Sequence, residues 1–175
     1  MLLSALLMSS ELIFDRPSID DGLAVSKLIS HCPPLDTNSV YCNLLQCYHF
    51  SSTSVAVKRC DELVGFISAY LIPETPDRLF VWQVAVSEKV RGQGLASKMI
   101  AHILAREVCA SVRVLQTTIT ESNQASWGLF TRFAEKHAAP LSSEQLFVAG
   151  KHLPAQHNTE VLVTIGPWLS GSLEL

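Results

Sequence analysis

The chain has 175 residues, 48% of them hydrophobic, which is enough for one substantial core and near the usual size of a single domain. Its formal net charge of −3 provides no broad cationic face to neutralise a run of phosphates, which argues against nucleic acid as a partner. The cysteines (Cys32, Cys42, Cys47, Cys60 and Cys109) are odd in number and scattered, with no CxxC pair and no His-x-x-x-His, so they read as reduced thiols and no metal site is expected.

The opening MLLSALLMSS lacks a basic n-region and is too short to span a bilayer, so residues 1–11 read as a disordered leader. Together with unpaired thiols this suggests the cytoplasm. Leu12–Arg16 reads as a short strand, and Leu23–His31 as a helix with an acidic start at Asp20-Asp21, stopped by Pro33-Pro34. Asp36-Thr37-Asn38-Ser39 can cap a second short helix, Val40–Cys47. Ser54–Arg59 and Leu63–Leu71 are strands joined by the polar Lys58–Glu62 connection, and Pro73–Asp77 is a second polar loop. Leu79–Ser87, nearly all apolar, reads as a central strand covered on both faces.

Gly94–Cys109 carries a helical apolar stripe at Leu95, Met99, Ile103 and Leu104, and Val112–Ile119 returns as a strand, so the three make a βαβ unit with parallel strands. Asn123–Phe133 is a further helix, and Leu146–Val148 and Glu160–Ile165 are late strands. No repeat, linker or low-complexity tract interrupts the chain, so a single α/β (α+β) domain is expected over 12–168, followed by a flexible tail over 169–175.

The hinge of the βαβ unit is Arg91-Gly92-Gln93-Gly94-Leu95-Ala96. A glycine-rich turn at a helix N-terminus exposes backbone N–H groups that have no helical acceptor, and the helix dipole adds partial positive charge there. Such a turn suits an anion, although a plain strand-to-helix connection also uses glycine. The spacing matches neither a P-loop nor a dinucleotide fingerprint.

Arg91-x-x-Gly94-x-Ala96 after an apolar strand resembles the (Arg/Gln)-x-x-Gly-x-(Gly/Ala) signature of the GCN5-related N-acetyltransferases, whose order of elements the chain also follows. That resemblance implies a mixed, mostly antiparallel sheet with helices on both faces. It also implies that N–H groups from Val90 to Ala96 cradle the pyrophosphate of acetyl-CoA, with Arg91 helping by charge, and that Val84, Ala85 and Val86 pair with the pantetheine arm as a peptide adds to a sheet edge. Asn123 would touch the same arm, or simply cap its helix. The position that commonly holds a tyrosine to protonate the departing thiolate is Phe130 here, which leaves Tyr41 or water for that task.

The segments Pro34–Tyr41, Phe80–Val86, Gln116–Asn123 and Glu160–Leu162 are together similar to the L-2,4-diaminobutyrate acetyltransferases of ectoine synthesis, a likeness running from about Phe14 to Gly166. It departs at Gln116, where an acidic residue is expected, and at Glu121, where proline is expected. It implies transfer of acetyl from acetyl-CoA to the γ-amine of L-2,4-diaminobutyrate, and a homodimer. A small diamino acid brings two ammonium groups, for which Asp36 and Glu160 are the candidates. Trp82 can wall the pocket through a cation–π contact, Thr118 is a further substrate-side candidate, and Tyr41 can hydrogen-bond substrate or thiolate. His157 can assist proton transfer, with Tyr41 and Glu160 as the other catalytic candidates. Each has a plainer reading: Asp36 as a helix cap, Glu160 as a solvated strand residue, Trp82 as core, His157 as surface.

The attacking amine must lose a proton first, because an ammonium has no lone pair. Direct attack needs no nucleophilic side chain, only positioning and a backbone N–H near Val84–Val86 for the oxyanion. Two other readings stay open: an acetyltransferase for another small amine such as a polyamine or aminoglycoside, and a non-catalytic acyl-CoA-binding protein suggested by Phe130.

Overall fold

A computed structural model describes residues 11–168, so apart from Glu11 the expected leader and tail lie outside the described residues. The chain divides into two compact units, Met1–Tyr70 with Gln83–Val108 and Leu71–Trp82 with Cys109–Leu175. Seven strands form a mixed sheet in the order β1-β2-β3-β4-β5-β7-β6.

In the first unit, β1 (Ile13–Asp15) pairs antiparallel with β2 (Val55–Arg59), and β2 with β3 (Glu62–Ile72). The expected polar connection is a tight turn in which Cys60 and Asp61 both take positive φ, 50° and 62°, the twist that a two-residue hairpin requires. Helices α1 (Gly22–Ser30) and α2 (Val40–His49) pack Val25, Leu28, Ile29 and Cys47 against Ala56, Phe66 and Ala85. Gly22 is where the two helices approach, since a Cβ there would collide with Leu44. A Cβ on Gly65 would instead lie 3.0 Å from Met99 and 3.1 Å from Leu95, both on α3 (Leu95–Leu104). Gly65 and Phe66 are consecutive on β3 and point to opposite faces, so helices cover both sides of this part of the sheet. The α3 helix stops at Leu104, short of the expected Cys109, and a separate 3-10 turn takes Glu107–Cys109. Just beyond its end, Arg106 Nη1 donates to the carbonyls of Ser51, Ser52 and Ser54 at 3.3, 3.0 and 2.6 Å, fastening the approach to β2.

In the second unit, the first part of β4 (Thr75–Val86) runs parallel to β5 (Val114–Thr120), with Arg78 opposite Val114 and Val81 opposite Thr117. The sequence reading began this strand at Leu79; the turn is in fact only Pro73-Glu74, and Pro76 sits within the strand. Strand β7 (Glu160–Ile165) pairs antiparallel with β5, and β6 (Leu141–Phe147) pairs antiparallel with β7. The expected Leu146–Val148 caught only the end of β6. Six of its seven residues are exposed and its middle is Ser142-Ser143-Glu144-Gln145, so no apolar alternation marks it. Helix α4 (Gln124–Lys136) buries Leu129, Phe130, Phe133 and Ala134, and the Phe133 ring meets Trp168 edge-on at 6.1 Å. Among the described residues no helix is long and apolar enough to cross a membrane, and no group of three or more metal-ligating side chains gathers.

Asp21, nearly buried, pairs with the half-exposed Lys58. Burial alone would raise the Asp21 carboxyl, but hydrogen bonds from Lys58 Nζ at 2.7 Å and from the Ser18 N–H at 2.8 Å outweigh that and lower it. A carboxylate depressed on folding stabilises the fold fully above its unfolded value, about 3.9. That stability is lost as pH falls through the lower folded value. Asp21→Asn is therefore expected to lower the melting temperature at pH 7 and to flatten its fall below about pH 4. Melting curves from pH 2 to 7 with an unchanged acid limb would contradict this.

Candidate active site

The turn from β4 into α3 forms as its glycines suggest. Gly92 and Gly94 take φ of 76° and 71°, in the left-handed region where a Cβ is costly. A Cβ built on either would meet nothing within 4 Å, so the turn opens outward and a ligand oxygen can come close to the main chain. Gly94 is the N-cap of α3 and offers no side-chain cap, so nothing from that position competes for the first-turn N–H groups. Arg91, Gly92, Gln93 and Gly94 are exposed. Leu95 is 2% exposed and faces Gly65, so it can serve a ligand only through its backbone, while Ala96 is half-buried. These features fit a diphosphate of an acyl-CoA.

The Arg91 side chain is already engaged. Its Nε donates to the Val86 carbonyl at 3.1 Å and its Nη1 lies 3.3 Å from Glu88 Oε1. Cys32 Sγ also donates to the Val86 carbonyl, at 3.4 Å, so that oxygen is taken up within the protein. Ala85 is wholly buried in the core cluster beside α1 and α2, leaving only its main chain for a ligand, whereas Val84 and Val86 are half-buried.

Elsewhere in the first unit, Ser39 is the N-cap of α2, its side chain accepting from Cys42 N–H at 3.0 Å. Asp36 is therefore not the cap. It is exposed, and its carboxylate has no hydrogen bond or ion pair among the described residues. Tyr41, in the first turn of α2, is 70% exposed. A residue that sequence reasoning passed over, Gln83, reaches this loop: its Nε2 donates to the Asp36 carbonyl at 2.6 Å and its Oε1 accepts from Asn38 Nδ2 at 2.9 Å. The available signal was a lone amide inside the apolar run Phe-Val-Trp-Gln-Val-Ala-Val.

In the second unit the sheet register brings three candidates to one face. Phe80 lies opposite Gln116, which lies opposite Thr164; Thr118 lies opposite Leu162, and Thr120 opposite Glu160. By alternation Trp82, Thr118 and Glu160 all share that face. Gln116 Nε2 donates to Thr164 Oγ1 at 3.0 Å. Trp82 is 43% exposed and so is not a core residue. His157 is exposed on the connection between β6 and β7. Asn123 caps α4, accepting from Ser126 N–H at 3.2 Å, and Phe130 is 2% exposed in the packing of that helix.

Three of the five cysteines are withdrawn from solvent, where a thiol is a poor nucleophile. None of the five is in a disulfide; Cys32, Cys47 and Cys109 are buried, and burial, aided by the Asp21 charge, pushes the Cys47 thiol up to about 12.

A mixed seven-stranded sheet with an open, glycine-built turn ahead of α3 defines an acyl-CoA-dependent N-acyltransferase, and the chain belongs to the Acetyltransferase (GNAT) family, whose model matches residues 24–134. Within it, the chain is 54% identical over 153 residues to the L-2,4-diaminobutyric acid acetyltransferase of Methylotuvimicrobium alcaliphilum, spanning 87% of this chain and 89% of that protein. It is 46% identical to the protein of the same name from Vibrio cholerae, over 87% and 88% of the two chains. Among solved structures, the diaminobutyrate acetyltransferase EctA from Paenibacillus lautus, in complex with L-2,4-diaminobutyric acid and coenzyme A, matches with a TM-score of 0.87 at 37% identity, covering 91% of this chain and 97% of that one.

Replacing Gly94 by alanine should strain its left-handed backbone by about 1–2 kcal/mol. The expected result is a lower melting temperature and a KM for acetyl-CoA raised roughly fivefold, for about 1 kcal/mol of lost anion binding, with the amine KM unmoved. Steady-state kinetics in which acetyl-CoA keeps its KM would remove Gly94 from the diphosphate site.

Proposed function

We propose that this chain transfers acetyl from acetyl-CoA to the γ-amine of L-2,4-diaminobutyrate, giving Nγ-acetyl-L-2,4-diaminobutyrate for ectoine synthesis, by direct attack in a ternary complex. The observation that carries this reading is its likeness, over about nine-tenths of both chains, to an acetyltransferase whose structure holds diaminobutyrate and coenzyme A together.

Acetyl-CoA supplies the activated acetyl group as a thioester. The N–H groups from Val90 to Ala96 hold its diphosphate, the α3 dipole adding to their attraction. Val84, Ala85 and Val86 hold the pantetheine arm through main-chain groups. Because the Val86 carbonyl is occupied by Arg91 and Cys32, Arg91 serves by bracing the strand end against the turn as well as by its charge. Asn123 and Phe130 border the same arm from α4. A backbone N–H of Val84–Val86 stabilises the developing oxyanion, an interaction worth about 2.7–4 kcal/mol when preorganised.

For the amine, Asp36 and Glu160 are the proposed partners of the two ammonium groups, and Trp82 and Thr118 the proposed further contacts. The shared sheet face of Trp82, Thr118 and Glu160 and the uncommitted Asp36 carboxylate support these roles. Glu160 or His157, directly or through water, accepts the proton that the γ-ammonium must lose, and Tyr41 hydrogen-bonds the substrate or the departing sulfur. One acetyltransferase domain over 12–168 performs the reaction.

Free CoA, followed with a thiol reagent, should appear only when diaminobutyrate accompanies acetyl-CoA. Release with polyamines or aminoglycosides and none with diaminobutyrate would overturn the reading. In the same assay Asp36→Ala should raise the amine KM at least tenfold, the equivalent of about 1.4 kcal/mol, and leave that of acetyl-CoA within about twofold. An unmoved amine KM takes Asp36 out of the site.

We further infer a cytoplasmic homodimer. The absence of a disulfide among the five cysteines supports the compartment, and the exposed edge strand β6, with Leu141 at 37% and Phe147 at 45% exposure, supports self-association. Sedimentation equilibrium giving a single 19.2 kDa species would exclude the dimer, and cell fractionation checks the compartment.

A further inference from the structure

We propose that Gln83 is a positioning residue for the amine substrate: its side-chain amide sets the backbone of the Asp36–Asn38 loop so that the Asp36 carboxylate faces the substrate ammonium. This rests on the assignment of Asp36 to the amine site.

Gln83 is 7% exposed in the middle of β4, and burying an amide there is costly unless both its ends are bonded. Both are. The Asp36 main-chain oxygen can only accept, so the atom 2.6 Å from it must be Nε2; this leaves Oε1 to accept from Asn38 Nδ2 at 2.9 Å. The amide orientation is therefore fixed by chemistry, and one side chain grips the loop at residue 36 and again at residue 38. Between these points the chain needs help, because Asn38 has φ of 53°, a left-handed conformation that asparagine tolerates better than most residues but that still disfavours the loop.

The grip has a particular feature: Gln83 bonds the main chain of Asp36 and not its carboxylate. Both carboxylate oxygens stay uncommitted while the Cα from which they project is held. A leucine or methionine would fill the same strand position without the desolvation cost of an amide. The polar choice is explained by the loop it holds, since Ser39 alone already caps α2. Gln83 touches no reacting atom in this role; it acts through Asp36.

Two variants of the full chain test this. Gln83→Met keeps the length and apolar packing and removes both bonds. Asn38→Gly keeps the positive φ at no steric cost and removes only the bond to Oε1. Gln83→Met is expected to raise the KM for diaminobutyrate about tenfold, the scale of one or two lost buried hydrogen bonds, with kcat changed less and the acetyl-CoA KM within twofold. Asn38→Gly should move the same constant in the same direction by a smaller factor.

The deciding measurement is the double variant with Asp36→Ala. If Gln83 acts through Asp36, adding Gln83→Met to Asp36→Ala changes the amine KM by less than about twofold. The full factor persisting without the carboxylate, or both KM values rising together, would overturn the proposal and leave the diaminobutyrate reading intact. Should Gln83→Met fail to fold, an Asn38→Gly enzyme with an unaltered amine KM overturns it equally. Absence of transfer to diaminobutyrate by the unaltered protein would overturn that reading and this inference with it.

Discussion

Everything at the coenzyme end depends on two consecutive excursions into left-handed backbone between β4 and α3. Gly92 and Gly94 take φ values that an L side chain resists, and together they swing the chain from strand direction to helix direction within four residues. Three consequences follow from that one constraint. The helix begins on a residue without a side chain, so its first N–H groups meet no side-chain cap. The turn stands clear of other atoms at both glycines, so an anion can approach the main chain. Finally, Arg91, lying just before the first excursion, folds back onto Val86 and ties the last residue of β4 to the loop that follows it. The same turn thus opens the main chain where we propose the diphosphate binds and fixes the strand end that leads into it.

The residues proposed for the amine are organised differently, within each unit by side chains instead of by backbone curvature. In the first unit a strand amide holds a loop; in the second, strand alternation lines up Trp82, Thr118 and Glu160 on one face. Such a division suits an enzyme family in which the acyl donor is shared and the acceptor varies. The donor site is written in main-chain conformation, which tolerates few sequences, and the acceptor site in side chains that can change while the fold stays the same.

These two kinds of site differ in how plainly the sequence shows them. The βαβ unit, the helix starts at Val40 and near Gly94, and the glycine turn between β4 and α3 were readable because apolar periodicity and glycine leave local marks. Strand β6 was not, because a nearly fully exposed strand loses the alternation that a half-buried one displays. The early start of β4 was hidden by Pro76, which reads as a loop residue. The caps were partly ambiguous: Asp36, Asn38 and Ser39 are all good cap residues, and only the hydrogen bond from Cys42 N–H selects Ser39. Gln83 escaped notice because its partners lie 45 and 47 positions away in the chain, and no local pattern reports a contact of that range. The wholly buried Asn43 and Gln46 of α2 are similar: from sequence they look like the polar face of an amphipathic helix, and the structure turns them inward.

Phe130 bears on which proton transfer the enzyme must manage with care. At 2% exposure it packs with α4 and carries no proton, so the family's usual acid is absent from that position. The chemistry makes this the lesser loss. A primary ammonium with a pKa of about 10.4 lies about 3.4 units above neutral pH, which makes its neutral form scarcer by roughly 4.6 kcal/mol. An alkyl thiol is the stronger acid, so expelling sulfur as the thiolate is the smaller demand and removing the amine's proton the larger one. In the mechanism we propose, carboxylates and a histidine serve the amine and a phenylalanine stands where the family commonly has a tyrosine, so the titratable groups attend to the larger barrier.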